Sequence, residues 1–129
     1  MSTTPTDVAD RLFDAIERGD LETVVGLFDP DVTMHKTGDA RDSDRARLVK
    51  IISGFIASTA ERHYRVLDRR QFDGGFVQQH VLHATTAHRV SIAARVCIVV
   101  RFGPDGLITR IDEYFDPAEL RPLLTDGSQ

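Results

Sequence analysis

Apolar residues recur at helical spacing through the first part of the chain and at the two-residue spacing of strands through the second half. Val8, Leu12, Phe13 and Ile16 share one helical face. Thr4 precedes them as a cap and Pro5 stands at the first turn, so a helix is expected from about Pro5 to Gly19. Asp20 then caps a short second helix, Leu21–Phe28, with Leu21, Val24, Val25 and Phe28 facing inward and Asp29-Pro30 stopping it. Val32–Thr37 reads as a short strand and Gly38–Asp42 as a loop. A third helix over about 44–58, capped by Asp42 or Ser43, carries Leu48, Ile51, Ile52, Phe55 and Ile56. Strands follow over about 61–72, 76–86, 90–102 and 107–115, separated by the turns Asp73-Gly74-Gly75 and Gly103-Pro104-Asp105-Gly106. Asp116-Pro117-Ala118-Glu119 has the signature of a new helix start, so a short helix or turn ends the chain.

Helices at one end and hairpin-linked strands at the other predict an α+β fold with a mostly antiparallel sheet. Strand parity assigns its faces. Over 90–102, Ile92, Ala94, Val96, Ile98, Val100 and Phe102 form an unbroken apolar face, while Ser91, Ala93, Arg95, Cys97, Val99 and Arg101 form a semi-polar one. The first set packs on helices or lines a cavity; the second suits solvent or a subunit interface.

The chain has 129 residues, the size of one domain, with its core over about 6–120 and frayed ends at Met1–Thr4 and Thr125–Gln129. Net charge is −4 with both signs interspersed, and no basic stripe suggests a nucleic-acid partner. No apolar run reaches the length of a membrane span, and Met1–Asp10 lacks the apolar core of a signal peptide. Cys97 is the single cysteine, so no internal disulfide forms. A cytoplasmic protein is expected.

The candidate chemistry is sparse. In the last strand one face reads Leu107, Thr109, Ile111, Glu113, Phe115 and the other Ile108, Arg110, Asp112, Tyr114, Asp116. Glu113 is a lone carboxylate on the more apolar face. An ionised carboxylate there is costly unless paired, and an unpaired one has the raised pKa of a general acid or base. Lys36 shares a face with Val32 and Met34; it either snorkels outward or meets Glu113 inside. His80 lies with Phe76, Gln78, Leu82 and Ala84, and the opposite face of that strand is about as polar, so parity alone leaves its burial open. His80 and His83 point to opposite faces and cannot share a metal; no other histidine has ligand spacing, and no metal site is expected. Cys97 reads as a packing residue, and Gly103–Gly106 as a hairpin turn rather than a phosphate loop.

Three segments together carry a resemblance: Arg18-Gly19-Asp20-Leu21 through Val24-Val25-Gly26-Leu27-Phe28-Asp29-Pro30-Asp31-Val32, the turn Gly103–Gly106, and Ile108-Thr109-Arg110-Ile111-Asp112-Glu113-Tyr114-Phe115-Asp116. The chain resembles the SnoaL-like members of the nuclear transport factor 2-like superfamily over about 6–120. The resemblance implies a cone: three N-terminal helices on the concave side of a strongly curved sheet, a pocket inside, and a homodimer through the outer sheet face. Superfamily enzymes include steroid isomerases, epoxide hydrolases, polyketide cyclases and scytalone dehydratase. The isomerase base position falls at Lys36 and its two oxyanion donors at Leu12 and Ile98, so isomerisation by that mechanism is not expected. The hydrolase Asp-Arg-Asp set falls at Glu113, Gln78 and His80, with its Asn at Lys36. By the same alignment Lys36, Gln78, His80 and Glu113 face the pocket, with Val96, Ile98, Val100, Ile111 and Phe115 as apolar walls.

The expected function is binding of a small apolar cyclic molecule. Cofactor-free acid–base catalysis would use Glu113 and His80 as proton carriers and Lys36 as stabiliser of negative charge on oxygen. The competing readings are a ligand-binding or accessory protein without chemistry, and an interaction module using Arg95, Cys97, Val99 and Arg101 on the outer face.

Overall fold

Thr4 opens the first helix through a reciprocal cap. Its hydroxyl accepts from the Asp7 N–H at 3.2 Å, and the Asp7 carboxylate accepts from the Thr4 N–H at 3.3 Å. A computed structural model describes residues 4–126 of the chain; of the ends expected to fray, Met1–Thr3 and Gly127–Gln129 lie outside the described residues, Thr4 is this cap, and Thr125 is helical. Helix α1 (Pro5–Arg18) buries Val8, Ala9, Leu12, Phe13, Ala15 and Ile16 and ends on Gly19 at φ 73°. There the N–H groups of Gly19 and Asp20 return to the carbonyls of Ile16 and Ala15, a closure that needs a left-handed residue. Asp20 caps α2 (Leu21–Gly26) by accepting from Thr23.

Helix α2 is shorter than the apolar spacing predicts, because Leu27 and Phe28 are recruited by the sheet. The Ile108 N–H donates to the Leu27 carbonyl at 2.8 Å, and Phe28 already pairs with Ile108. Strand β1 (Phe28–Lys36) therefore begins before Pro30, which an edge strand tolerates. Asp44 caps α3 (Arg45–Ser58), one or two residues later than expected, by accepting from the Arg47 N–H at 2.9 Å. Ser43 instead pairs with Met34 and covers part of the open edge of β1.

The remaining strands are β2 (Thr59–Phe72), β3 (Gly75–Thr86), β4 (Ser91–Phe102) and β5 (Ile108–Phe115), followed by α4 (Pro117–Asp126). The curved, unclosed sheet has the order β1-β5-β4-β3-β2; β1 runs parallel to β5 and every other pair is antiparallel. Register shifts in β2 after Thr59 and after Val66, and between β4 and β5, mark the bends.

On β4 the predicted parity holds: Ile92, Ala94, Val96, Ile98 and Val100 are buried. On β5 it breaks at the start. Ile108, expected on the outer face, is fully buried, while Leu107 and Thr109 are only half-buried. Phe102 pairs with Ile108 and Arg101 with Arg110, so Thr109 is an extra residue in a bulge. Beyond it the expected alternation resumes, with Ile111 buried.

The core lies between α1, α2 and the sheet and includes Leu12, Phe13, Val24, Phe28, Phe76 and Val100. Helix α3 contributes only Leu48 as a fully buried residue; Ile51, Ile52 and Phe55 are half-buried because they overhang a cavity. No helix among the described residues is long and apolar enough to cross a membrane.

Gly75 is a strand residue rather than part of the preceding turn. An added Cβ would clash with the Val100 carbonyl oxygen and lie 2.6 Å from the Phe72 ring. Gly75→Ala should therefore destabilise the protein by about 1–3 kcal/mol in urea unfolding; a change below about 0.5 kcal/mol would show that β4 and Phe72 give way freely.

Candidate functional site

The bent sheet and the helices leave a cavity of ≈ 800 Å³ between them. Its floor is the concave face of β3, β4 and β5, with Val96, Ile98 and Ile111. Its inner wall is Leu12, Phe13 and Ile16 of α1. Its mouth follows one stripe of α3, with Arg47, Lys50, Gly54 and Ser58, facing Leu120 and Leu123 of α4. The lining is predominantly apolar and the volume suits a drug-sized ligand.

Glu113, His80 and Lys36 all border this cavity. Gln78, Val100 and Phe115, which the alignment placed with them, do not line it. Gln78 and Val100 lie on the same concave face but are fully buried beside the cavity, and Phe115 is half-buried outside the lining.

One pairing row crosses the sheet as Arg69, Gln78, Ile98, Glu113 and Lys36, on β2, β3, β4, β5 and β1 in turn. The backbone at Glu113 is pinned by Thr37, whose N–H donates to the Glu113 carbonyl at 3.0 Å and whose hydroxyl accepts from the Phe115 N–H at 3.2 Å. The Glu113 side chain has no hydrogen bond or ion pair among the described residues. Lys36 does not close on it: its ammonium lies 3.2 Å from Asp39, which also accepts from the Lys36 N–H at 3.0 Å. Partial burial works against the Asp39 charge, but these bonds outweigh it and hold the carboxyl below its ordinary value. Glu113 thus feels Lys36 as an attraction and Asp39 as an opposing repulsion. Loss of water dominates both and pushes the Glu113 carboxyl up to about 7.

His80 is 2% exposed and stands edge-on to Tyr64 and Phe13, with ring centroids 5.0 and 5.4 Å away. Burial, helped by the charge of Arg69, takes its pKa down to about 4, so the ring is neutral across the physiological range. Its Nδ1 lies 2.8 Å from the Gln78 amide nitrogen. The Gln78 amide oxygen accepts from Arg69 Nε at 2.7 Å, and Arg69 pairs with Asp10 of α1 at 2.7 Å.

His80 and Glu113 do not touch. His80 pairs with Val96 and Glu113 with Ile98, two strands and two residues apart, or roughly 10–12 Å at the backbone by strand geometry. The directly bonded proton-carrying pair that sequence placement allowed is absent. The two groups address a shared space from separate positions.

Tyr64 is the functional-looking residue the sequence did not single out. It lines the cavity beside His80 and Phe13, and burial followed by the charge of Glu113 holds its phenol well above its ordinary value. Its strand is polar and lies at the sheet edge, so composition gives no face. Only the pairing of Tyr64 with Leu82 turns it inward.

A bent sheet covered on its concave side by helices, with Glu113 and His80 bordering an apolar cavity, defines a cone fold. The SnoaL-like domain model matches residues 9–111, and the chain belongs to that family. No curated protein matches the sequence. Among solved structures, the chain is similar to IdmH of Streptomyces antibioticus, a candidate polyketide cyclase, at 22% identity and TM-score 0.78, over 95% of this chain and 99% of that one. It is similar to an LEH-like epoxide hydrolase of M. tuberculosis at 17% identity and TM-score 0.74, over 92% and 87%. An NTF2-like protein of Burkholderia pseudomallei aligns at 18% identity and TM-score 0.79, over 96% and 99%. At these identities the likeness is one of fold.

The desolvated carboxyl has a thermodynamic signature. A folded pKa near 7 against 4.5 contributes stability fully present below pH 4.5 and lost as pH rises through 7. His80, with a lowered pKa, contributes stability present above pH 6.5 and lost as pH falls through 4; this part is common to wild type and a Glu113 variant. The stability of Glu113→Gln relative to wild type should therefore rise by up to about 3 kcal/mol from pH 4 to pH 8 in urea unfolding. A difference independent of pH would mean that Glu113 is solvated.

Proposed function

We propose that this chain is a cofactor-free acid–base enzyme acting on a small, mostly apolar cyclic molecule, with Glu113 as the group that takes up and returns the proton. The observation that carries this reading is an unpaired carboxyl, on a backbone held rigid by Thr37, in an apolar cavity that brings its pKa to about 7. A proton carrier is most effective when its pKa lies near the working pH, because both forms are then populated. As carboxylate, Glu113 removes a proton from an activated C–H or from a water; as acid, it returns that proton to carbon or to a departing oxygen. Water exclusion by the apolar walls strengthens these interactions. The Lys36 ammonium, held by Asp39 at the cavity edge, lends positive potential without sealing Glu113 in an ion pair. The candidate cyclase and the epoxide hydrolase among the structural neighbours are consistent with such chemistry on one scaffold.

The separation of Glu113 from His80 favours a second reading, a ligand-binding protein without turnover. The two are separated by following solvent deuterium exchange into a panel of cyclic ketones, and hydrolysis of cyclic epoxides, across pH 5–9. Catalysis should depend on a group titrating near 7, and Glu113→Gln should lower the rate at least about 100-fold while binding of the same compounds, measured by calorimetry, changes by less than about threefold. Binding of these compounds with no turnover in wild type would establish the binding protein.

A dimer through the outer sheet face, where Val99 and Cys97 lie between Arg95 and Arg101, is part of the same proposal. Light scattering should give twice the monomer mass, and Val99→Glu should halve it.

A further inference from the structure

The row of bonds beside the cavity has a direction, and that direction determines what His80 offers to a ligand. Arg69 is a donor only, so the group it meets at 2.7 Å on Gln78 is the amide oxygen. The other end of the same amide is then its NH₂, which faces His80 Nδ1 at 2.8 Å. An NH₂ donates, so Nδ1 must accept, and in a neutral imidazole the proton is then on Nε2. Asp10 on α1 anchors the far end by holding the Arg69 guanidinium at 2.7 Å. Gln78 is fully buried and Arg69 mostly so, and the amide cannot reverse without placing its NH₂ against a guanidinium. Nε2 has no protein partner among the described residues, and its ring lines the cavity.

We propose that Gln78 and Arg69 are positioning residues that fix the His80 proton on Nε2, so that the imidazole presents a fixed hydrogen-bond donor to the cavity and selects ligands carrying a carbonyl or similar acceptor oxygen beside an apolar ring system. In the catalytic reading above, on which only this ligand class rests, the oxygen is held at His80 while Glu113 addresses a proton elsewhere on the same molecule. The backbone separation of the two groups leaves space for the ligand between them. A neutral imidazole donor, unlike an ammonium, stabilises negative charge developing on oxygen without surrendering its proton to Glu113. The polarity of the site is thereby set from the protein surface, through Asp10, Arg69 and Gln78, and not by the pocket walls.

The test reads the imidazole nitrogens directly, by long-range proton–nitrogen NMR on the full chain at pH 7.5. Wild type should show His80 Nδ1 unprotonated and Nε2 protonated. In Gln78→Glu, a carboxylate still accepts from Arg69 but faces Nδ1 with an acceptor, so Nδ1 should become protonated. Arg69→Met, a milder change at the outer end of the row, frees the amide to rotate and should give a mixture of the two tautomers. A wild-type proton on Nδ1, or a pattern unchanged in both folded variants, would overturn the assignment. The ligand class is read separately with a cyclic ketone labelled with carbon-13 at the carbonyl. Its resonance should move downfield on binding to wild type, and the shift should be lost in His80→Phe. A ketone that binds equally to both with no shift would sink the ligand class while leaving the tautomer result standing, and neither outcome depends on turnover.

Discussion

One guanidinium joins the two helices that roof the cavity to the strand at its side. Arg62 on β2 donates from Nε to the Ile16 carbonyl at 2.9 Å and from Nη2 to the Glu17 carbonyl at 3.4 Å, both in the last turn of α1. Its Nη1 donates to Ile56 at the end of α3, and to the carbonyl and hydroxyl of Thr59. Carbonyls at a helix C-terminus lack intrahelical partners and carry the negative end of the dipole, so a half-buried cation there satisfies two helix ends at once. Glu17 adds its carboxylate to the Tyr64 N–H at 2.7 Å. Arg62 and Tyr64 are thus two residues apart on one inward face: the first holds the helices over the sheet, and the second lines the space they enclose.

That space exists because the sheet bends more than the helices can follow. Bulges in β2 and between β4 and β5 curve the strands, and the concave apolar face is covered closely by α1 and, over Leu82, Ala84, Ile92 and Ala94, by Leu120 and Leu123 of α4, but only loosely by α3. A close-packed interior would gain several tenths of a kcal/mol for each methylene that filled the gap. Retaining an open apolar cavity with an unpaired carboxyl is the opposite choice, in which local stability is given up at a site where a ligand can supply the missing contacts.

The polar groups are graded by depth. Asp10 and Arg69 stand toward the surface, Gln78 is sealed beside His80, and His80 and Glu113 open onto the cavity from different strands. Lys36 and Asp39 close a local pair at the edge. Each acts through its neighbour's surroundings as much as its own. Glu113 is raised by loss of water, which the attraction of Lys36, itself engaged by Asp39, does not offset, and His80 is directional because Arg69 engages Gln78.

The apolar spacing alone determined the α+β class, the helices α1 and α3, the hairpin strands and the buried face of β4, because these depend on periodicities of 3.6 and 2 that are local properties of the chain. It also marked Glu113 as a carboxylate out of place, since the residues two positions to either side are apolar. Where neighbouring strands had a say, local pattern was not enough. Phe28 left its helix to pair with Ile108, Ile108 turned inward at a bulge, and Tyr64 entered the cavity from a strand whose sequence has no apolar face. The same limit separates the candidate site into two parts. Parity marked Glu113 on the more apolar face, while the inward placement of Lys36 and His80 came from the family resemblance. That Lys36 turns to Asp39, that Gln78 bonds Arg69 and His80 outside the cavity lining, and that the Glu113 carboxyl has no partner among the described residues were decided by cross-strand register and the direction of hydrogen bonds. These exist only once distant segments meet.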